Sequence, residues 1–228
     1  MLKKTTHTQL IILIDPDKYN TELIKIANEC KVSYIFVGGS SLQKNNFEKT
    51  IKSIKTVTKI PVIIFPGDET QISKLADGIL ILSLLSGRNA EYLVGKHVKA
   101  ASKIKASKLK PIPTGYILVN GNKISTTQKV TKTKPLSNKK EIIETAIAGE
   151  LLGKQLIYLE AGSGAKKELS SSIIKDVKKH ISISLIVGGG INTVAKAKNI
   201  ISCKPDYIVI GNALETNPEL LIDINKLF

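Results

Sequence analysis

Three short stretches of the chain combine residue types that could do chemistry. In YLEAGSGA (158–165) a lone carboxylate, Glu160, ends an apolar run and is followed only by small residues. In IDPDK (14–18) the carboxylates Asp15 and Asp17 sit beside Lys18, directly after another apolar run. VGGGIN and VIGNAL set Gly189, Gly190, Gly211 and Asn212 behind two further runs. Small residues after Glu160 clear space for a ligand. Glycines let backbone N–H groups approach and face an anion, and a helix N-terminus behind each loop would add positive potential. Asp15 suits Mg²⁺, which takes one or two protein oxygens and fills its shell with water and substrate phosphate. Ser40, at a neighbouring strand end, could give a second oxygen, directly or through water. A simpler role is also open, with Asp17 or Asp15 capping the next helix. His7, His97 and His180 are scattered, which argues against a zinc site.

The elements that must hold these residues follow from eight apolar runs, at 10–14, 34–37, 61–65, 78–82, 112–119, 156–159, 184–188 and 207–211. Most are continuous rather than alternating, as buried parallel strands are. Helical patterns lie between most of them, at 21–30 with Thr21 as N-cap, 46–57, 91–107, 140–153 with Gly153 as the C′ residue, 171–180, 193–202 and 218–228. Alternating β and α predicts a parallel sheet with helical crossovers. The connection from Pro66 to Asp77 is too short for a full crossover helix. The fold class expected is α/β: one modified (β/α)8 TIM barrel over 1–228, its third helix replaced by a short segment, with an open doubly wound sheet as the alternative. The stretch 120–140 reads as a long polar loop. In such a barrel the residues after each strand meet at one mouth, so DPDK, GGSS, PGDE, SLLSGRN, PTGY carried on strand five, EAGSG, GGGIN and GNALE converge.

Composition narrows the partners. The 42% hydrophobic content of the 228 residues supports one sizeable core. Cys30 and Cys203 read as buried reduced thiols. The first apolar run is too short for a signal or a membrane span, so a cytoplasmic protein is expected. The net charge is +15, yet of 34 basic residues only Arg88 is arginine, and there is no tryptophan. Sequence-reading nucleic-acid surfaces favour guanidinium and aromatic groups, so no nucleic-acid partner is expected. The lysines fit a solvated surface, attraction of phosphorylated substrates, or peripheral membrane contact. Arg88 itself could contact a diphosphate or make a structural ion pair.

Taken together, LIDPDK, FVGGS, VIIFPG, ILSLLSGRNAEYLVGKHVKAA, PTGYILV, YLEAGSGA, LIVGGGI and VIGNALE resemble the geranylgeranylglyceryl phosphate synthase family, in unbroken order from about Leu10 to Glu215. The pairing of YLEAGSGA with IDPDK resembles the second of its two main subgroups. Bacterial heptaprenyl enzymes of the other subgroup carry a lysine where this chain has Leu13. The resemblance implies a modified barrel and a Mg²⁺-dependent prenyltransferase of lipid biosynthesis. Such an enzyme forms an ether bond between sn-glycerol 1-phosphate and a long polyprenyl diphosphate, with geranylgeranyl diphosphate the expected donor, and releases diphosphate. By motif match the metal would lie at Asp15 and Ser40. The glycerol phosphate would be held by Tyr158, Leu159, Glu160, Ala161, Gly162, Ser163, Gly164, Gly189, Gly190, Gly211 and Asn212. Glu160 would deprotonate the glycerol hydroxyl or only bind it, and Tyr158, two residues earlier on the same face, would hydrogen-bond the glycerol. A homo-oligomer, hexamer or dimer, is also implied. The prenyl groove is expected near the cover after strand three and the 91–107 helix. Other phosphate-binding barrels share the last two glycine loops but not IDPDK with YLEAGSG.

Overall fold

A computed structural model describes residues 1–39, 42 and 46–228. The strands are β1 (Gln9–Ile14), β2 (Tyr34–Val37), β3 (Val62–Ile64), β4 (Gly78–Leu84), β5 (Lys110–Leu118), β6 (Leu156–Glu160), β7 (Ser184–Gly188) and β8 (Tyr207–Ile210). All neighbours pair in parallel, and β1 pairs with β8, so the sheet closes into a barrel. The open doubly wound alternative is thereby excluded. Closure buries both faces of every strand. One face, including Ile11, Phe36, Ile63, Tyr158 and Ile186, fills the barrel interior. The other, including Ile12, Ile35, Ile64 and Leu159, packs under the helices.

The helices are α1 (Thr21–Glu29), α2 (Phe47–Val57), α3 (Lys96–Ser107), α4 (Thr126–Thr131), α5 (Lys139–Leu151), α6 (Ser171–His180), α7 (Val194–Ile201), α8 (Asn212–Thr216) and α9 (Leu220–Asn225). A π-helical turn, Glu91–Gly95, leads into α3. Two expectations change here. The cap of α1 is Asn20, whose side chain accepts the Glu22 N–H, and Thr21 is already helical. The polar stretch 120–140 contains α4, closed by a reciprocal capping box between Ser125 and Gln128. Gly153 does follow α5 with φ +78°, the left-handed C′ geometry.

No helix forms between β3 and β4. The segment folds back on its own polar groups: Asp68 accepts the Thr70 N–H, and buried Gln71 accepts from Gly67 and donates to the Gly39 carbonyl. At the opposite end of the barrel, Leu2 is 2% exposed and joins the interior. Asp206 fastens this N-terminal strap, accepting from Thr5 N (3.0 Å), Leu185 N (2.8 Å) and Lys178 Nζ. Replacing Asp206 by Ala strands buried donors, so Asp206→Ala should lower unfolding stability by about 2–4 kcal/mol in urea titration. A loss under about 0.5 kcal/mol would show that the strap carries no weight.

Candidate active site

Strand alternation and strand length together build the mouth. Ile11, Leu13 and Asp15 follow one another at period two, which brings Asp15 just past the end of β1 into the mouth cavity. On β6 the same period brings Tyr158 and Glu160 inward. The register Leu118↔Glu160↔Gly188 sets Glu160 beside the glycine that ends β7. The resulting cavity has a volume of about 420 Å³. It is lined by Asp15, Tyr158, Glu160, Ser163, Gly164, Gly189, Gly190, Gly211 and Asn212, so these sequence-selected residues meet in one place. Leu159 and Ala161 do not line it. Their side chains sit in the core beneath the helices, and the Ala161 N–H bonds the Gly188 carbonyl. Gly162 stays behind Glu160 and spends its N–H on that carboxyl. Ser40 lies outside the described residues.

Glu160 is 8% exposed, and its Oε1 accepts the Gly162 N–H at 2.7 Å. Burial raises its pKa to about 7, with the Gly162 N–H and the nearby Tyr158 hydroxyl pulling the other way. Tyr158 is fully buried, and burial beside Glu160 keeps its phenol well above the usual range. Its hydroxyl stands close to the carboxyl but has no partner with hydrogen-bond geometry among the described residues. A buried hydroxyl without a partner beside a desolvated carboxyl is a polar wall that a bound hydroxyl compound would complete. Glycine is required for this approach, because a Cβ on Gly188 would collide with the Tyr158 hydroxyl and one on Gly189 with Glu160 Oε1.

Across the cavity, Gly189 and Gly190 have φ +83° and +72°, consecutive left-handed residues that turn the chain above the carboxyl. Ser163 donates to Asn212 Oδ1 at 2.6 Å and ties the loop after β6 to the loop after β8. The Lys18–Glu215 ion pair, 2.7 Å, ties the loop after β1 to α8. Behind Gly211 stands only the five-residue α8. Asp15 Oδ1 caps its own turn by accepting the Asp17 N–H at 3.0 Å, so the simple capping role is real. A carboxylate accepts at about four lone-pair sites, so this cap is compatible with metal binding. No cluster of three or more acidic, His or Cys ligands occurs among the described residues. Arg88 makes no ion pair among the described residues and does not line the mouth cavity. Its guanidinium donates to the Leu85 and Gly87 carbonyls, at 2.5 and 2.9 Å, and pins the turn after β4.

From sequence, Phe65, Tyr116 and Thr127 had no individual role, although PTGY on strand five was expected at the mouth. All three border the mouth cavity and also a second, largely apolar cavity of about 120 Å³. That cavity runs between the β3–β4 cover, β4, and the residues Tyr92, Ala100 and Ile104, with Val130 and Thr131 of α4 above. Tyr116 stacks on Tyr158 with ring centres 5.3 Å apart, and Phe65 meets both rings edge-on. Period-two alternation along PTGYILV could have shown that Tyr116 faces inward.

The PcrB family matches residues 3–226. A geranylgeranylglyceryl phosphate synthase of Zunongwangia profunda is 48% identical over 212 residues, 90% of each chain. One from Pyrococcus furiosus is 38% identical over 221 residues, 94% of this chain and 86% of that relative. Among solved structures, (S)-3-O-geranylgeranylglyceryl phosphate synthase from Thermoplasma acidophilum, in complex with its substrate sn-glycerol-1-phosphate, superposes with a TM-score of 0.90 at 34% identity. The match covers 97% of this chain and 93% of that one. A thiamine phosphate pyrophosphorylase from Pyrococcus furiosus, at 12% identity and TM-score 0.61, shares the fold alone.

Because the Glu160 pKa is raised from about 4.5 to about 7, the folded chain holds the proton that the unfolded chain releases. Its contribution is fully present below about pH 4.5 and is lost as pH rises through about 7. Glu160→Gln should therefore abolish that loss and make the protein more stable than the parent at pH 8, by up to about 3 kcal/mol. Denaturant titrations at pH 5 and pH 8 check this, and a parent-minus-variant difference that does not change with pH contradicts it.

Proposed function

The chain belongs to the PcrB family, and from that membership and the polar wall of the mouth cavity we propose that it joins sn-glycerol 1-phosphate to a long polyprenyl diphosphate. The prenyl donor is expected to be geranylgeranyl diphosphate. A C–O bond forms between the glycerol 3-hydroxyl oxygen and C1 of the prenyl chain. The bond from C1 to the diphosphate oxygen breaks, and diphosphate leaves with the electron pair. The observation that carries this reading is the unpartnered Tyr158 hydroxyl beside Glu160 in a cavity rimmed by glycine loops.

Each residue has a task that its chemistry suits. Glu160 takes the hydroxyl proton as the bond forms. A base with a pKa near 7 is ionised often enough at neutral pH and still holds a proton well. Tyr158 donates to a glycerol oxygen and orients it. Backbone N–H groups around Gly189, Gly190 and Gly211, with Ser163 and Asn212, face the phosphate. The prenyl chain lies in the apolar cavity, and its reactive C1 sits where that cavity meets the mouth at Phe65 and Tyr116. Magnesium fits this donor set, because Asp15 offers a hard carboxylate oxygen at the cavity wall and phosphate oxygens complete the shell. When bound there it neutralises charge on the leaving diphosphate. Asp15 would hold that ion while keeping its own turn capped. Work in the cytoplasm and self-association belong to the same reading. No described helix is long and apolar enough to cross a membrane. Leu151 and Leu152, 82% and 71% exposed, offer an apolar contact for a homo-oligomer.

Incubation with glycerol 1-phosphate and radiolabelled prenyl diphosphates of several lengths should give labelled ether lipid, and EDTA should abolish it. No transfer from any donor would overturn the proposal. With a base at Glu160, kcat rises as pH passes about 7, and Glu160→Gln lowers kcat by roughly 100-fold or more with little change in KM. A raised KM at near-normal kcat would instead make Glu160 a binding group.

A further inference from the structure

From Tyr92 to Lys140 the chain has twelve lysines and no Asp or Glu. Some of these lysines are neutralised by acids from elsewhere: Lys96 pairs with Glu69, Lys99 with Glu91 and Lys139 with Asp176. The group on and around α4 is different. Lys123, Lys129, Lys132 and Lys134 are exposed and have no ion-pair partner among the described residues. Two apolar side chains stand among them, Ile124 at 67% exposure and Val130 at 42%. Two aliphatics do not make an apolar patch by themselves; what marks this surface is an exposed Ile124 set among lysines that have no ion-pair partner in the described residues.

The position of this patch narrows the choice of partner. It follows the C-terminal end of β5 and therefore lies on the mouth side of the barrel. The inner residues of α4 roof the two cavities: Thr126 and Thr127 line the mouth, and Thr127, Val130 and Thr131 line the apolar cavity. The Tyr92 hydroxyl donates to the Val130 carbonyl at 3.1 Å and holds α4 against the start of α3. The outward side of the element that covers the apolar cavity thus carries an exposed aliphatic, Ile124, among these lysines. Insertion of an aliphatic group combined with lysine attraction is the two-part signal for binding an anionic bilayer.

We propose that the outer face of residues 123–134 docks the barrel mouth-down on an anionic lipid surface, so that a lipid can pass between the bilayer and the apolar cavity under α4. This rests on the functional reading in one respect, that the donor and the product are lipids with anionic heads. The surface binding itself needs no substrate. Ile124 enters the headgroup boundary, and the four lysines meet lipid phosphates. Nucleic acid, the other polyanion, would use the lysines and leave Ile124 without a role.

Vesicle co-sedimentation of the full chain tests this, with phosphatidylcholine vesicles containing or lacking phosphatidylglycerol. Binding should need the anionic lipid and weaken with salt. The triple variant Ile124→Asp, Lys129→Glu, Lys134→Glu should bind at least about tenfold more weakly, and Ile124→Asp alone should also weaken it. Lys59→Glu with Lys179→Glu, at the opposite end of the barrel, should bind as the parent does. The triple variant should keep parental turnover, within about twofold, on donor presented in detergent micelles. Absence of binding to anionic vesicles, equal losses at both ends, or an effect of the lysines with none from Ile124 would each overturn the proposal. Transfer in micelles without vesicle binding removes the docking and leaves the chemistry standing. Vesicle binding without transfer does the reverse.

Discussion

Burial of the Glu160 carboxyl at the end of β6 is the interaction around which the mouth is organised. A carboxylate out of water is costly unless hydrogen bonds replace its hydration. Here one backbone N–H at 2.7 Å replaces only part of it, and the group remains near neutrality, with a pKa of about 7. Closing the barrel enforces that burial, because β5 and β7 flank β6 and leave no open edge. The small residues follow from the same constraint. Gly188 and Gly189 leave the volume that the Tyr158 hydroxyl and the Glu160 carboxyl fill. The Tyr158 hydroxyl, unpartnered among the described residues, is the counterpart of this arrangement: the site stays polar and incomplete until a hydroxyl compound enters.

The second constraint is the missing crossover helix after β3. Without it, one side of β4 is covered by an irregular segment and the start of α3. Gln71 and Asp68 satisfy that segment from within. The gap left over is apolar and opens toward the mouth at Phe65 and Tyr116. A polar pocket and an apolar one meeting at a ring of three stacked or edge-on aromatic side chains suit a reaction between a phosphorylated alcohol and a hydrocarbon chain.

Much of this was legible in the sequence because barrel strands buried on both faces read as continuous apolar runs. β2 and β7 appear with their observed limits, and the others within two residues at either end. The convergence of Asp15, Glu160 and the late glycines followed from parallel order alone. Short elements were not legible. α4 has six residues, too few for an apolar period, and only the Ser125–Gln128 spacing marks it. α8 has five and is preceded by a glycine cap, Gly211, with no side-chain capping bond. Side-chain direction was the other gap. A motif matched as one block does not separate inward from outward residues, so Tyr116 was placed at the mouth without a role and Leu159 was grouped with the site. For Arg88, rarity said nothing about geometry: in place of the expected ion pair, its guanidinium serves a local turn.

A crystal structure of the protein soaked with sn-glycerol 1-phosphate would test the central claim most directly. The account predicts phosphate density against the backbone of Gly189, Gly190 and Gly211, with a glycerol hydroxyl within hydrogen-bond distance of both Tyr158 Oη and a Glu160 carboxyl oxygen. Phosphate bound elsewhere, or a glycerol that leaves the Tyr158 hydroxyl without a partner, would contradict it.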